Sequence, residues 1–204
     1  MMTPLQSFAS AVPPASAPTR RRFITRAIGS MLAPGLATGV ASAMASGLAL
    51  KAQAQDGPGY QVSAWSGPLP ELGLLDTNGK TWQLADLQGR AVLLNFWATW
   101  CPPCRAEMPS LQIVADLYGD AKLLVLAINF KEPASRAVKF AAANGLNFPV
   151  LLDPVGKQAG QQGVKVFPTT LALGANGRPQ QRVTGELDWT GRPAEALIAG
   201  LLRA

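Results

Sequence analysis

The only thiols in this 204-residue chain are Cys101 and Cys104, and the two residues between them are Pro102 and Pro103. They follow the continuous apolar run Ala91-Val-Leu-Leu-Asn-Phe-Trp97 and precede a segment with helical periodicity, so they sit at a strand-to-helix junction. Cysteines at i and i+3 can close a small disulfide ring at a helix N-terminus, where the helix dipole and free N–H groups stabilise a thiolate. The thiolate is the attacking species in disulfide exchange. Cys101, nearer the loop, is expected to be the exposed nucleophile. Cys104, one turn in, is expected to be the partly buried resolving thiol. Pro102 and Pro103 carry no N–H, so the Cys101 sulfur is left mainly with the amide and thiol of Cys104. A less stabilised thiolate favours the oxidised form. The couple is therefore expected nearer the reducing end, roughly −270 mV, than the oxidising end at about −120 mV.

Other chemistries are poorly served. The chain has no histidine, which removes a histidine base, a histidine metal ligand and any Cys-His pair. Two cysteines cannot fill a tetrahedral zinc site. A purely structural disulfide across two residues would constrain the unfolded chain very little. The net charge of +6 suggests an acidic partner, but residues 1–54 hold five basic residues and no acid. That leaves 13 Lys and Arg against 12 Asp and Glu in the remainder, and a nucleic-acid partner loses its main support. Two rival readings stay open. One is a copper-handling protein using the cysteine pair and Met108, which the lack of histidine disfavours. The other is a thiol peroxidase, which the residues Trp97, Ala98, Thr99 and Trp100 before Cys101 do not suit.

Residues 1–54 are expected to be an export leader. Thr19-Arg-Arg-Arg-Phe-Ile-Thr25 is a basic region of twin-arginine type, Ala27 to Leu50 is uncharged and mildly apolar, and Ala52-Gln-Ala54 is a small-x-small cleavage site. The 24 residues from Ala27 to Leu50 are long enough to span a bilayer, so an uncleaved leader would be an anchor. Either way the domain is expected in the periplasm, where disulfide chemistry operates. Residues 55–65, within a Gly-, Pro- and Ser-rich stretch that extends to 70, are expected to be a linker. The folded domain is expected over 66–204.

Within that domain, Leu72–Leu75 and Thr81–Leu84 around Asn78-Gly79 predict a β-hairpin. Ala91–Trp97 and Lys122–Ile128 predict strands buried on both faces. The intervening helix should bury Met108, Leu111, Val114, Ala115 and Leu117, leave Glu107 in solvent, and kink at Pro109. Ala134–Asn144 predicts a helix capped by Gly145. Phe148–Leu152 predicts a strand, and Gly156–Gln162 one or two helical turns. Thr169–Leu173 and Gln181–Thr184 predict a second hairpin, and Pro193–Leu202 a closing helix. Alternating strands and helices between terminal hairpins predict an α/β fold with a mixed central sheet and helices on both faces.

The string Asn95-Phe-Trp-Ala-Thr-Trp-Cys-Pro-Pro-Cys-Arg-Ala-Glu-Met-Pro109 resembles the TlpA/ResA branch of exported thiol–disulfide oxidoreductases, within the thioredoxin superfamily. The resemblance runs over roughly residues 66–203. It implies a thioredoxin fold with an added N-terminal hairpin and a central insertion at Glu132 to Leu152. It maps the family's cis-proline to Pro168, in Val166-Phe-Pro-Thr-Thr170, and implies that Phe167 offers its backbone to an extended substrate. Trp100, Pro102 and Pro103 are implied to contact substrate, and Trp97 either packs beside them or belongs to the core. Asn95 stands where many thioredoxins carry a buried Asp, and an amide cannot be a base. The resemblance implies instead a glutamate in the insertion, matched at Glu132 within Asn129-Phe-Lys-Glu132, with a raised pKa and a role in moving the Cys104 proton. The alternative for Glu132 is a helix N-terminal acid. No cofactor beyond the redox-active disulfide and no metal is expected. The implied partners are client proteins with thiols or disulfides, of the cytochrome c or copper-centre maturation type, and a membrane thiol–disulfide electron donor. The protein is expected to be a monomer, and a disulfide donor would use the same residues in the opposite direction.

Overall fold

The computed structural model describes residues 59–204; the expected leader and the first residues of the expected linker lie outside them. The elements run β1 (Tyr60–Ala64), β2 (Leu72–Leu75), β3 (Thr81–Gln83), a 3₁₀ turn (Leu84–Leu87), β4 (Ala91–Trp97), α1 (Pro102–Tyr118), β5 (Leu123–Phe130), α2 (Ala134–Ala143), β6 (Val150–Asp153), α3 (Lys157–Gln161), β7 (Thr169–Leu173), β8 (Pro179–Gly185) and α4 (Arg192–Arg203). Six strands form one mixed sheet in the order β1-β8-β7-β4-β5-β6, and β2 and β3 form a separate hairpin. Strands β4, β5 and β6 are parallel, while β7, β8 and β1 are antiparallel to their neighbours. This is a thioredoxin-like fold with additional strands.

All seven residues of β4 are buried, as a central strand covered on both faces requires. Its alternation divides the core. Ala91, Leu93 and Trp97 face one cluster, with Met108 and Leu111 of α1, Ala137 of α2, and Leu197 and Ile198 of α4. Val92, Leu94 and Phe96 face another, under the β2–β3 hairpin, the 3₁₀ turn and Ala159 of α3. Burying side chains such as Met108 and Leu111 completely stabilises the domain by about 1.5–3 kcal/mol each. The added hairpin is thus the wall of one face of the sheet, fastened to it by a bridge from Asp76 to Leu151.

Several expectations are corrected. The segment expected as a linker contains β1, paired residue for residue with β8 from Tyr60↔Gly185 to Ala64↔Gln181. Four of its five residues are exposed, so no alternation of burial marks it as a strand. The pairing depends on Gly185, which has φ +95° and lies so close to the Gly59 carbonyl that a Cβ would collide with it. Leu117, expected on the buried stripe of α1, is 72% exposed. Glu107, expected in solvent, is buried. Among the described residues no helix is long and apolar enough to cross a membrane.

Candidate active site

The site forms where β4 ends and α1 begins. Cys101 is the N-cap of α1 and Pro102 its first residue, a position where a missing N–H is tolerated. Cys101 and Cys104 are joined in a disulfide with Cα atoms 5.3 Å apart. The Cys104 N–H lies 3.3 Å from the Cys101 sulfur and donates to it. Cys104 is fully buried, and Cys101 retains only 3% of its surface. In the disulfide form Cys101 is therefore the outer of the two sulfurs but is not the exposed residue expected. Pro102 is exposed and Pro103 partly so.

Above the disulfide lies an aromatic rim. Trp100 is 55% exposed and meets the Phe167 ring edge-on at 5.9 Å. Phe167 packs in turn on Phe130 at 4.7 Å. The Phe167–Pro168 peptide bond is cis, and Pro168 is buried. Among the described residues no backbone group pairs with the Phe167 N–H or carbonyl. Trp97 belongs to the core, fully buried with its ring 4.9 Å from Phe140.

Glu132 is 5% exposed, but its partners are not thiols. Its carboxylate accepts the Thr99 N–H at 2.7 Å, the Thr99 hydroxyl at 2.6 Å and the Asn129 Nδ2 at 2.9 Å, with Arg136 at 3.6 Å. Burial favours the neutral acid, but these hydrogen bonds and the Arg136 charge prevail and hold its pKa below the ordinary value. That direction is opposite to the one expected. The carboxylate ties the loop before Cys101 to the loop between β5 and α2. Gly156, in the left-handed region at φ +73°, lets that second loop close down, since a Cβ there would strike the Lys131 and Phe130 side chains. Glu132→Ala would leave the Thr99 N–H and Asn129 Nδ2 without their acceptor. It is expected to lower the unfolding free energy by about 2–4 kcal/mol, measured as a lower urea midpoint. An unchanged midpoint would mean that the tie does not hold the loop.

The buried acid with the raised pKa is Glu107. It is 2% exposed and follows Cys104 by three residues, on the same face of α1. Asn95 Nδ2 donates to its Oε1 at 2.6 Å, and the Leu187 N–H and Trp189 Nε1 approach its Oε2 at 3.4 Å. Burial dominates these donors, with a smaller contribution from the nearby Glu186 charge, and the pKa is pushed up to about 8. The sequence does carry a signal for this placement. Positions 104, 107, 108, 111, 114 and 115 form one helical stripe, and a carboxyl inside it is placed under the sheet by its neighbours.

These features meet those of known proteins. Residues 66–179 match the AhpC/TSA family. A curated relative, the thiol-disulfide oxidoreductase ResA of Geobacillus thermodenitrificans, is 36% identical over 118 residues, which cover 58% of this chain and 68% of that protein. A putative thiol:disulfide interchange protein DsbE from Chlorobium tepidum aligns with a TM-score of 0.62 at 30% identity, covering 67% of this chain and 96% of that one. A secreted thiol-disulfide isomerase from Corynebacterium glutamicum aligns at 0.60 and 28% identity, covering 73% and 93%. The chain belongs to the AhpC/TSA family and, within the thioredoxin superfamily, to the thiol–disulfide oxidoreductases related to ResA and DsbE. It is an enzyme of the periplasmic type that works through the Cys101–Cys104 disulfide.

Proposed function

We propose that this protein reduces disulfides of client proteins outside the cytoplasm, with 1–54 as its export leader and the domain after it as the catalyst. In the reduced form the Cys101 thiolate attacks a client disulfide. A Cys101–client bond forms and one client thiolate leaves. Cys104 gives its proton to the Glu107 carboxylate and its sulfur attacks Cys101. The second client thiolate leaves, and the Cys101–Cys104 bond forms as the client gains two electrons. A membrane thiol–disulfide donor then returns two electrons, and protons from Glu107 and water restore the thiols. Trp100, Pro102, Pro103, Phe167 and Pro168 form the face against which the client backbone lies. Glu132 positions the Thr99 loop rather than carrying the proton. Apocytochrome c and copper-centre assembly proteins are the client classes this resemblance favours.

The observation that carries the reducing direction is that, among the described residues, one backbone group donates to the Cys101 sulfur, the Cys104 N–H. Pro102 and Pro103 supply none, so the thiolate gains little from the helix start and the reduced form is a ready electron donor. Equilibration of the pair against a glutathione series tests it. The expected potential is roughly −270 mV, and a value near about −120 mV would make the protein a disulfide donor instead.

A further inference from the structure

We propose that Asn95 is a positioning residue whose side-chain amide turns over with the protonation of Glu107, donating to the carboxylate and accepting from the neutral acid. The inference rests on the reading of Glu107 as the proton carrier and adds the group that lets it carry. Among the described residues the polar contacts of the carboxyl come from three donors: Asn95 Nδ2, the Leu187 N–H and Trp189 Nε1. That set suits an ionised carboxylate. A neutral carboxyl has an O–H that needs an acceptor, and at this depth an unmet one is costly. Of the three partners, only the Asn95 amide also carries an acceptor, its Oδ1.

The surroundings allow the turn. Asn95 Oδ1 is buried and bonded to no other group among the described residues, so reversal of the amide breaks no bond on that side, and the cost of placing Nδ2 there is set against the acceptor gained by the neutral carboxyl. The other contact of Nδ2 is the Thr170 hydroxyl at 3.0 Å, which can donate as readily as it accepts. The 2.6 Å separation from Glu107 Oε1 is short for an amide N–H donor and ordinary for an O–H donor, so the same positions serve both states. The groups facing the Glu107 carboxyl are Asn95 from β4, and Leu187, Trp189 and the Glu186 charge from the segment after β8, with Cys104 one turn away on the same face of its own helix. No cation pairs with it among the described residues. An aspartate at 95 would set two carboxyls against each other. An aliphatic residue would leave the ionised state without its short donor.

The test is a side-chain NMR titration of the oxidised protein, in which the cysteines do not titrate. In the wild type the Asn95 amide resonances are expected to move with the same midpoint as the Glu107 carboxyl carbon. Asn95→Leu removes a partner from both states, but the bond to the carboxylate is charge-assisted and about twice as strong as the one from the neutral acid, so the midpoint should rise, by up to about one pH unit. The pH profile of client reduction should move with it. In a Glu107→Gln background Asn95→Leu should leave the pH profile unmoved. Asn95 resonances that stay still while Glu107 titrates would overturn the inference even if no Asn95 variant folds. A Glu107 that titrates together with Asn95 but leaves the exchange rate unchanged would instead overturn the proton-carrier reading and leave the amide turnover standing. A Glu107 that does not titrate would overturn both.

Discussion

Cys104→Ser is expected to stop turnover while leaving the first chemical step intact. Cys101 can still attack a client disulfide, but no second sulfur exists to release the client. The mixed disulfide accumulates, visible as a covalent adduct on a non-reducing gel, and multiple-turnover reduction falls on the order of a thousandfold or more. Cys101→Ser is expected to lose turnover as completely without forming the adduct, because Cys104 is fully buried and cannot reach a client. The two variants therefore assign the roles by product rather than by rate. Both should fold. The ring closed by the bridge spans only three positions, and its loss costs under about 2 kcal/mol in the chain-entropy picture. An adduct on the Cys101 variant and none on the Cys104 variant would reverse the assignment.

Glu107→Gln is expected to show the second large effect, in pH dependence. The carboxyl titrates near 4.5 in the unfolded chain and at about 8 in the folded one. Its folded pKa is raised, so the native state binds a proton that the unfolded state has lost between those values. Stability is undiminished below pH 4.5, declines as pH rises through the window, and levels off above about 8. The ceiling on that decline is about 5 kcal/mol, since each pH unit crossed between the two values costs about 1.4 kcal/mol. Glu107→Gln removes the slope, so the variant should be the more stable protein at alkaline pH, by a few kcal/mol at about pH 9. Glu132 and Asp76, whose pKa values are lowered, contribute stability that is lost as pH falls. They affect both proteins alike, and the wild-type minus variant difference isolates Glu107. The same variant should slow client reduction about a hundredfold, as expected for loss of a general acid–base group. Gains in stability paired with losses in rate are what a carboxyl retained for chemistry produces. Urea titrations across the pH range check the first half. A pH-independent difference between the two proteins would show that Glu107 is ionised when buried.

Much of the fold is readable in the chain because the central elements are locally consistent. The bounds expected for Ala91–Trp97 and Thr169–Leu173 are those observed, since continuous apolar runs between turn residues leave little choice. The Asn78-Gly79 hairpin and the Phe167–Pro168 loop also lie where expected. β1 is hidden because an edge strand with both faces near solvent carries no burial pattern, and its partner β8 lies more than a hundred residues away. Within the site the cysteines and their prolines are plain. The two glutamates are harder, because a carboxyl in isolation reads as a surface group. Glu132 stands out by its place in the insertion, but its hydrogen bonds reverse the expected shift. Glu107 reads as a surface acid although the stripe Cys104, Met108 and Leu111 encloses it. What it meets, Trp189 and Leu187, comes from some eighty residues further on, and no local pattern announces a partner at that range.

The strand hidden within the expected linker also decides what the sheet offers to other molecules. Without β1, the outer edge of β8 would present a row of unpaired N–H and carbonyl groups beside the loop of Phe167 and Pro168. Any extended chain delivered to the disulfide could pair there and stay, since an open edge is a template for strand addition. β1 occupies all five of those positions and replaces them with an edge that is short and carries Gln61 and Ser63. If the proposed clients are extended or partly folded chains, a catalyst that bound them by its sheet would be consumed by them. Residues 60–64 thus act as a cover for that edge, and a chain begun at residue 66 would be expected to precipitate with the proposed clients before it lost its chemistry.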